Sequence, residues 1–518
     1  MRQIGLIRLI RQITKERFFS ALVYLTVFLF ALYPYRDYDW GWHFRYGEYF
    51  VKTGQILRED LFTWTMAGFP WINHSWLYDP IQYLLFTNSS FLGLSLAGAF
   101  VSFLAFYIGT APYKISYWQK GILAIFFTVL TSGVVWQGLR SQVLAFLPLS
   151  IFMFLIVKIH LFFHPRGEES PHLGGVAYKY YIFVFPLLFL LWVNLHGSFT
   201  LGLLIFGIFL GFQYFFLFFH PRGEKNLHLG GVGSKRLFIP KPLIWLTLSF
   251  LVSFAATFIN PFTYNVYLEA IRHARNPLLP YISEWIPVQF PGSFYNIFII
   301  YSLLLLVGFA KRRKLADIPL IITSVIVFYL AFGARRYDAT YVVATLPFAA
   351  IILKDFKFKL ENYRTTAFIF IIAVAVSLEI AFFRRIPQYQ IFSQSIETYC
   401  NHGSNCSEGL TGYLKDNPPQ GRGFNFYDWG GYLIGRGVPA KLFIDGRMHL
   451  WQRGNYEVFL EYQQMYYEED WAKFNQYNFD WVIAQPNSKV AAKIKTGELG
   501  QWETKYEDER AVYFVRQR

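Results

Sequence analysis

The sequence has little charge and almost no cysteine. Two cysteines in 518 residues exclude a disulfide-rich scaffold and a zinc site built from cysteines. Charged residues make up 16% of the chain, whereas hydrophobic residues make up 54% and aromatic residues 21%, which excludes a string of ordinary soluble domains. The composition therefore predicts a protein that lies mostly within a lipid bilayer.

Long apolar runs predict about eleven membrane-spanning helices, because a span needs roughly 20 mostly apolar residues. These runs are 18–35, 91–111, 121–136, 142–163, 180–196, 199–219, 243–260, 294–310, 315–333, 339–353 and 365–383. The predicted fold class is thus a polytopic α-helical membrane protein with an extracytoplasmic C-terminal domain.

The basic residues predict the orientation of these spans. Several arginines and lysines precede the first run, and because such residues stay on the inner side, the N-terminus is expected in the cytoplasm. The basic clusters within 311–314 and 354–364 then fall in inner loops, and an odd number of spans places the C-terminus outside. The net charge of +15 is therefore interpreted as a topology signal and not as a sign of nucleic-acid binding. In a prokaryote the protein would lie in the cell membrane.

Three predicted outer segments stand apart from the spans. The multi-span region 1–383 contains a long first outer loop, 36–90, and a second, 261–293. Residues 384–518 are expected to form a globular α/β domain, because they mix strand-like alternation with a helical pattern. The predicted strands are Lys441–Ile444, Trp481–Ala484 and Ala511–Val515, and the predicted helical stretch is 456–474.

The two cysteines lie close together in this predicted outer domain. Cys400 and Cys406 are on the side of the membrane where oxidising conditions allow a disulfide. Such a bond would close a short loop and carry no chemistry.

One internal repeat occurs in two predicted inner loops. The segments HPRGEESPHLGGVAYK (164–179) and HPRGEKNLHLGGVGSK (220–235) share eleven of sixteen positions. Their histidines and glycines would suit a metal or phosphate site. A duplicated insertion is the favoured interpretation, because loops tolerate added length at little cost.

The first outer loop carries a dense group of polar residues beside the membrane. Asp37, Asp39, His43, Arg45 and Glu48 fall within twelve residues and are interleaved with aromatic residues. Aromatic residues at the end of a span form an ordinary interfacial belt, and solvated charges beside them would need no function. Because an unpaired charge at the membrane surface is costly, the density of acid, imidazole and guanidinium groups predicts a functional site.

Further polar residues occur in the other predicted outer segments. Glu284 lies in the second loop, where it can meet the first-loop acids, and paired carboxylates suit a hard divalent cation or a general base. Arg335 and Arg336 end one span and Arg140 lies in a short outer turn, and their guanidinium groups suit phosphate or diphosphate. Asp428 lies between aromatic residues and two glycines, which is typical of a binding pocket or of a core turn.

These residues resemble the motifs of GT-C type membrane glycosyltransferases, most closely those of the catalytic subunit of oligosaccharyltransferase. The first motif corresponds to Asp39, Trp42, His43, Phe44, Arg45, Glu48 and Tyr49, and the second to Ser283, Glu284 and Pro287. The third, Trp-Trp-Asp-Tyr-Gly in that family, corresponds to Phe426, Tyr427, Asp428, Trp429 and Gly430. The order of the motifs and their predicted side of the membrane also agree with that family.

The resemblance implies a role for each motif. Asp39, with Asp37 beside it, and Glu284 match the carboxylates that bind a divalent metal and polarise the acceptor. The donor phosphate is expected to bind Arg335, Arg336, Arg140 and Arg45, and the acceptor to bind Tyr427, Asp428, Trp429 and His43.

The sequence departs from this family at the metal site. The family has a second acidic motif after its third span, but the corresponding stretch, 135–142, contains Arg140 and no acid. One hypothesis is therefore a Mg²⁺ or Mn²⁺ ion held by Asp39 and Glu284. The other is that a cation in place of the metal neutralises the leaving phosphate.

The predicted function is transfer of a sugar or glycan from a polyprenyl- or dolichyl-(di)phosphate donor to an outer acceptor. The expected partners are the lipid bilayer, this donor and a protein or glycan acceptor, with no nucleic acid. One alternative is a transporter or flippase of a polar lipid or solute, which would need charged residues near mid-span. Another is a non-catalytic assembly protein on a degenerate glycosyltransferase scaffold. Convergence of Asp39 and Glu284 in one groove would favour the enzyme.

Overall fold

The protein is a multi-helix membrane protein. A computed structural model describes residues 2–164, 177–219, 239–287, 289, 292–312, 314–356, 395–401 and 405–517. Among these, seven helices are long and apolar enough to cross a membrane: Tyr78–Tyr113, Tyr117–Val135, Ser141–Phe163, Phe199–Phe219, Phe294–Arg312, Leu315–Gly333 and Arg335–Asp355. Two shorter apolar helices, Phe183–Leu195 and Lys241–Ala256, lie between them in the chain. The predicted span 365–383 lies outside the described residues, so the total of eleven stays a prediction.

The helices follow the order of the apolar runs. They are α1 (Arg2–Ala31), α2 (Trp40–Thr53), α3 (Tyr78–Thr110), α4 (Tyr117–Val135), α5 (Ser141–Leu144), α6 (Phe146–Phe163), α7 (Ala177–Leu195), α8 (Phe199–Phe219), α9 (Lys241–Ala256), α10 (Asn265–Arg275), α11 (Ser293–Arg312), α12 (Ile318–Gly333) and α13 (Asp338–Asp355). Residues 36–90, predicted as a loop, therefore contain α2 and the part of α3 before Ser90, where the backbone leaves helical geometry with φ 53° and ψ −156°. The helix α2 forms there because its aromatic face, including Trp40, Trp42 and Tyr46, is buried against α3.

Residues 405–517 contain a mixed sheet with short helices around it. The strands are β1 (Gly423–Asn425), β2 (Gln452–Arg453), β3 (Tyr456–Glu457), β4 (Trp481–Ala484), β5 (Trp502–Glu507) and β6 (Val512–Arg516). Four of them pair in the order β1-β4-β6-β5, with β1 and β4 parallel and the other pairs antiparallel, while β2 and β3 form a separate ribbon. The helices are Glu408–Asp416, Gly430–Arg436, Val458–Tyr466, Trp471–Gln476 and Lys489–Lys495. The Cys400–Cys406 disulfide is present near the start of this segment.

The predicted strand at Lys441–Ile444 is not part of the sheet. Leu442 instead makes a parallel bridge to Thr63 in the first outer segment. The sequence pattern was strand-like because Leu442, Phe443 and Ile444 are all buried. Their backbone groups, however, pair with a distant part of the chain.

Glycine residues allow the C-terminal segment to dock on α2. A Cβ atom at Gly41 would lie 1.8 Å from the carbonyl oxygen of Gly431, and one at Gly435 would lie 2.6 Å from the Cα of Gly41. Arg447 adds a buried link, since its Nη2 lies 2.7 Å from the Asp60 carboxylate and 2.6 Å from the Asp445 carboxylate. The segment that contains α2 and Asp60 is therefore held against the C-terminal segment at one end of the helical bundle.

Candidate active site

One arginine lies among three acids at the predicted outer end of the helices. Arg140 Nε is 3.2 Å from Asp37 Oδ1, and Arg140 Nη2 is 3.2 Å from Asp39 Oδ2. The remaining nitrogen, Nη1, is 3.5 Å from Glu284 Oε2. Asp39 and Glu284 come from separate segments of the chain, and they converge on this one guanidinium group.

The turn that follows α4 positions Arg140. Gly138 has a φ of +84°, which glycine adopts without strain, and a Cβ atom there would lie 2.4 Å from the ring of Tyr35. The backbone N–H of Leu139 donates to the carbonyl of Leu94 at 3.1 Å. The side chain of Arg140 is 17% exposed. Burial lowers the pKa of Arg140, but the surrounding carboxylates outweigh this effect and raise it, so the positive charge persists.

The two first-loop acids differ in their access to a substrate. Asp37 is buried, and its carboxylate accepts hydrogen bonds from Tyr35 Oη at 3.4 Å and from the backbone N–H of Asp39 at 3.2 Å. Burial raises the pKa of Asp37 to about 7 against the opposing effect of Arg140. Asp39 is 24% exposed, and its Oδ1 accepts a hydrogen bond from the indole N–H of Trp42 at 3.0 Å. Asp39 is therefore the acid that a substrate can reach, whereas Asp37 is buried and forms an ion pair with Arg140.

Backbone pairing with the turn before α13 holds Glu284 in place. The N–H of Arg336 donates to the Glu284 carbonyl at 2.9 Å, and the N–H of Arg335 donates to the Ile286 carbonyl at 3.1 Å. The Arg336 side chain lies 3.1 Å from Glu284 Oε1 and 4.1 Å from the centre of the Trp285 ring. Burial raises the pKa of Glu284, but Arg336 and Arg140 outweigh this effect and hold it below its usual value. Arg336 thus contacts Glu284, whereas Arg335 is exposed.

This donor set does not fit a divalent metal ion. Such an ion needs several oxygen ligands directed at one point, and the Arg140 guanidinium takes that place among Asp37, Asp39 and Glu284. In the part of the chain that the structure describes, no group of three or more His, Cys, Asp or Glu side chains could hold a metal. The predicted metal role of Asp39 and Glu284 therefore has no geometric support.

The predicted acceptor motif lies beside Asp39. Tyr427 and Asp428 are half-buried, and the Asp428 carboxylate accepts no hydrogen bond from a described residue. Burial, with a smaller contribution from Asp39, raises the pKa of Asp428 to about 6. Trp429 is buried. A Cβ atom at Gly446 would lie 2.1 Å from Asp39 Oδ1, so backbone of the C-terminal segment lies directly against this acid.

Two predicted site residues have other partners in the structure. His43 is buried, and its Nδ1 lies 2.6 Å from Asp79 Oδ1, so it belongs to the core between α2 and α3. Arg45 binds Glu48 at 2.6 Å and donates from Nε to the carbonyl of Ile434 at 3.1 Å. The acceptor role of His43 and the phosphate role of Arg45 therefore have no geometric support, because both side chains are engaged in packing contacts.

Sequence reasoning missed two pairs of histidines whose rings lie close together, namely His74 with His196 and His273 with His449. Each is a lone histidine in its own segment, so no local pattern indicated the group. The histidines singled out from the sequence belong to the repeats 164–179 and 220–235, which lie almost entirely outside the described residues.

Known proteins resemble this chain in structure but not detectably in sequence. No protein-family model matches the sequence, and no curated protein sequence matches it either. Archaeal oligosaccharyltransferase AglB from Archaeoglobus fulgidus, solved with an inhibitory peptide and a dolichol-phosphate, is similar with a TM-score of 0.55. The match covers 90% of this chain and 69% of that chain at 12% identity. This chain shares its fold with that oligosaccharyltransferase.

Two further solved structures are similar. The apo form of the Archaeoglobus fulgidus oligosaccharyltransferase has a TM-score of 0.53, with 13% identity over 91% of this chain and 70% of that chain. ArnT from Cupriavidus metallidurans, bound to undecaprenyl phosphate, has a TM-score of 0.49, with 12% identity over 96% of this chain and 97% of that chain. The two Archaeoglobus fulgidus structures confirm the sequence-based resemblance at the level of the fold.

Proposed function

We propose that this protein is a membrane glycosyltransferase that moves a sugar from a polyprenyl-linked phosphate or diphosphate to an acceptor. The observation that carries the proposal is the convergence of Asp39, Glu284, Arg140 and Arg336 at one end of a GT-C helical bundle. The AglB structure of similar fold was solved with a dolichol-phosphate and a peptide, which is consistent with a lipid-linked donor and an outer acceptor. A donor whose lipid tail stays in the bilayer would meet these cations at the membrane interface.

In this proposal Asp39 acts as the general base. The acceptor oxygen or nitrogen attacks the anomeric carbon of the sugar, and the bond from that carbon to the phosphate oxygen breaks. The phosphate leaves with the electron pair, and the acceptor proton passes to the Asp39 carboxylate. Asp39 suits this role because it is partly exposed and because a carboxylate keeps free acceptor positions beyond its bonds to Trp42 and Arg140.

Arg140 and Arg336 would stabilise the charge that develops on the leaving phosphate. Fixed positive groups in a partly buried site stabilise such charge more than water does, because they need no reorganisation during the reaction. Glu284 positions both of them, since its two oxygens lie 3.5 Å from Arg140 and 3.1 Å from Arg336. Its function in this proposal is therefore to hold the cations.

Transfer is expected to persist in EDTA, because Arg140 supplies the positive charge that a metal would otherwise provide. The test uses purified full-length protein in lipid nanodiscs with a panel of polyprenyl-linked sugars and with peptide and glycan acceptors. The rate of lipid phosphate release, measured by mass spectrometry, is expected to agree within about twofold between EDTA and Mn²⁺, since the preorganised cation is part of the chain. Activity that disappears in EDTA and returns with Mn²⁺ would contradict the role of Arg140. Failure to consume any donor under either condition would contradict glycosyl transfer.

The affinity for the acceptor is expected to depend on pH through Asp428. Its pKa of about 6 makes the carboxylate ionised at pH 8 and mostly protonated at pH 5. An acceptor that donates a hydrogen bond to this carboxylate binds the ionised form better. The KM for the acceptor should therefore rise about tenfold from pH 8 to pH 5, whereas the KM for the donor should not follow this curve.

Asp428→Asn should abolish this pH dependence, because the amide does not titrate. The matched control is Asp416→Asn, which changes an exposed acid of the same segment and should keep the pH profile. A profile that is the same in wild type and in Asp428→Asn would rule out the acceptor role of this residue.

A further inference from the structure

A buried amide side chain joins the turn of Arg140 to the turn of Arg336. Gln142 lies two residues after Arg140, in α5, and is 7% exposed. Its Nε2 donates a hydrogen bond of 2.7 Å to the backbone carbonyl of Arg336, which is 194 residues away in the chain. A carbonyl oxygen only accepts, so the amide nitrogen of Gln142 must face it. One side chain therefore connects the two backbone turns that carry the guanidinium groups of the site.

Both backbone polar groups of Arg336 are bonded to other segments of the chain. The carbonyl accepts from Gln142, and the N–H donates to the carbonyl of Glu284 at 2.9 Å. Arg336 lies before α13 in one short 3₁₀ turn, Arg335–Tyr337, and such a turn is held by few and poorly aligned internal hydrogen bonds. The position of Arg336 therefore depends on Gln142 and Glu284 more than on the turn itself.

These contacts form a closed ring between the two arginines. Nη1 of Arg140 lies 3.5 Å from one carboxylate oxygen of Glu284, and Nη1 of Arg336 lies 3.1 Å from the other. Gln142 closes the ring through the backbone. Glu284 thus holds the two side chains, while Gln142 holds the two main chains. Fixed cations stabilise developing negative charge well because they need no reorganisation during the reaction.

We propose that Gln142 is a positioning residue for sugar transfer, which holds the backbone of Arg336 so that Arg140 and Arg336 act together on the leaving phosphate. This inference rests on the proposed glycosyl transfer and adds to it a residue that takes no part in making or breaking bonds. Gln142 acts through Arg336. A shift of about 1 Å in a group that stabilises the transition state can slow a reaction by about 10²-fold.

Gln142→Met tests this role, because methionine is similarly long and unbranched but cannot donate a hydrogen bond. In full-length protein in nanodiscs, kcat is expected to fall about tenfold, whereas the KM values for donor and acceptor should change by less than about twofold. The reason is that a displaced Arg336 matters most when charge develops on the phosphate. An unchanged kcat in the folded variant, or a loss confined to KM, would overturn the inference and leave the proposed transfer intact. Absence of transfer in the wild type would overturn the proposed function, and the positioning role with it.

Gln119→Met is the matched control for a loss of stability alone. Gln119 is 6% exposed, and its Nε2 donates at 2.6 Å to the carbonyl of Leu353 at the opposite end of the bundle. Its Oε1 also accepts from the N–H of Ser116 at 2.8 Å, so this variant should lower Tm at least as much as Gln142→Met does. Its kcat should nevertheless stay at the wild-type value. An equal loss of kcat in both variants would contradict the positioning role, because the loss would then follow stability.

A double variant tests whether Gln142 acts through Arg336. Arg336→Gln removes the guanidinium group, so adding Gln142→Met to it should lower kcat by less than about twofold further. A structural role elsewhere would instead multiply the two losses, which gives about tenfold on top of the effect of Arg336→Gln. That multiplied loss would overturn the inference, whereas the smaller loss would support it.

Discussion

Replacement of Arg140 by glutamine is expected to lower kcat/KM for sugar transfer by about 10²–10³-fold, the usual effect of removing a preorganised charged group. Glutamine can still donate a hydrogen bond, but it leaves the carboxylates of Asp37, Asp39 and Glu284 without the cation that they share. Their repulsion would disturb Asp39 and Glu284 together, and the leaving phosphate would lose one of the two cations proposed to stabilise it. The measurement is steady-state kinetics on protein whose folding is verified by size-exclusion chromatography.

Two companion variants show what this effect depends on. Arg140→Lys keeps the charge, but a single ammonium group cannot reproduce three separately directed contacts, so its activity should lie between wild type and Arg140→Gln. Arg36→Gln is the matched control, since Arg36 lies over the ring of Tyr33 at 4.9 Å and is not among the contacts of the three acids. If Arg140→Gln retained nearly full activity in folded protein, the central role of Arg140 would be wrong.

The second large effect is expected for Asp39→Asn, which should abolish detectable transfer while leaving expression and folding intact. Loss of a general base typically costs about 10²–10⁴-fold in rate. The amide oxygen can still accept the indole N–H of Trp42, so the local structure has little reason to change. The decisive measurement is single-turnover release of lipid phosphate at saturating donor, which reports the chemical step rather than binding.

Asp37→Asn is the informative comparison for Asp39. Asp37 is buried behind Arg140, and its pKa of about 7 means that it is partly protonated at neutral pH already. Asp37→Asn should therefore reduce the rate of sugar transfer much less than Asp39→Asn does. Undiminished turnover in Asp39→Asn, or an equal loss in both variants, would contradict the assignment of Asp39 as the base.

Several features of the fold and site follow from local sequence. Apart from the run 365–383, which lies outside the described residues, the apolar runs predicted helices where the structure has them, because burial in lipid needs only a continuous stretch of apolar residues. The acids Asp39 and Glu284 were also evident, since charged residues beside a span are conspicuous in so apolar a chain. The part of α3 before Ser90 was less predictable. The backbone leaves helical geometry at Ser90, next to the start of the predicted span 91–111, and the turns before it pack against α2 rather than against lipid.

Other features depend on contacts that no local pattern specifies. His43 and Asp39 are close neighbours in one motif, yet the helix α2 directs His43 to a buried contact with Asp79. The paired histidines His74 with His196 and His273 with His449 come from four segments, and each resembles an ordinary histidine when it is considered alone. The sequence also did not distinguish Arg335 from Arg336. Their roles differ because backbone pairing with residues 284–286 places Arg336 against Glu284.

Composition and the positions of charge thus determined that this chain is a multi-span protein with acids and arginines gathered in its predicted outer segments. Apolar runs and the positions of charged residues are properties of short stretches of sequence, so both could be identified from the sequence alone. Only the tertiary packing brings one guanidinium group into contact with three carboxylates. Arg140 is 101 residues from Asp39 and 144 from Glu284 in the chain, and only the tertiary fold brings their side chains within hydrogen-bonding distance.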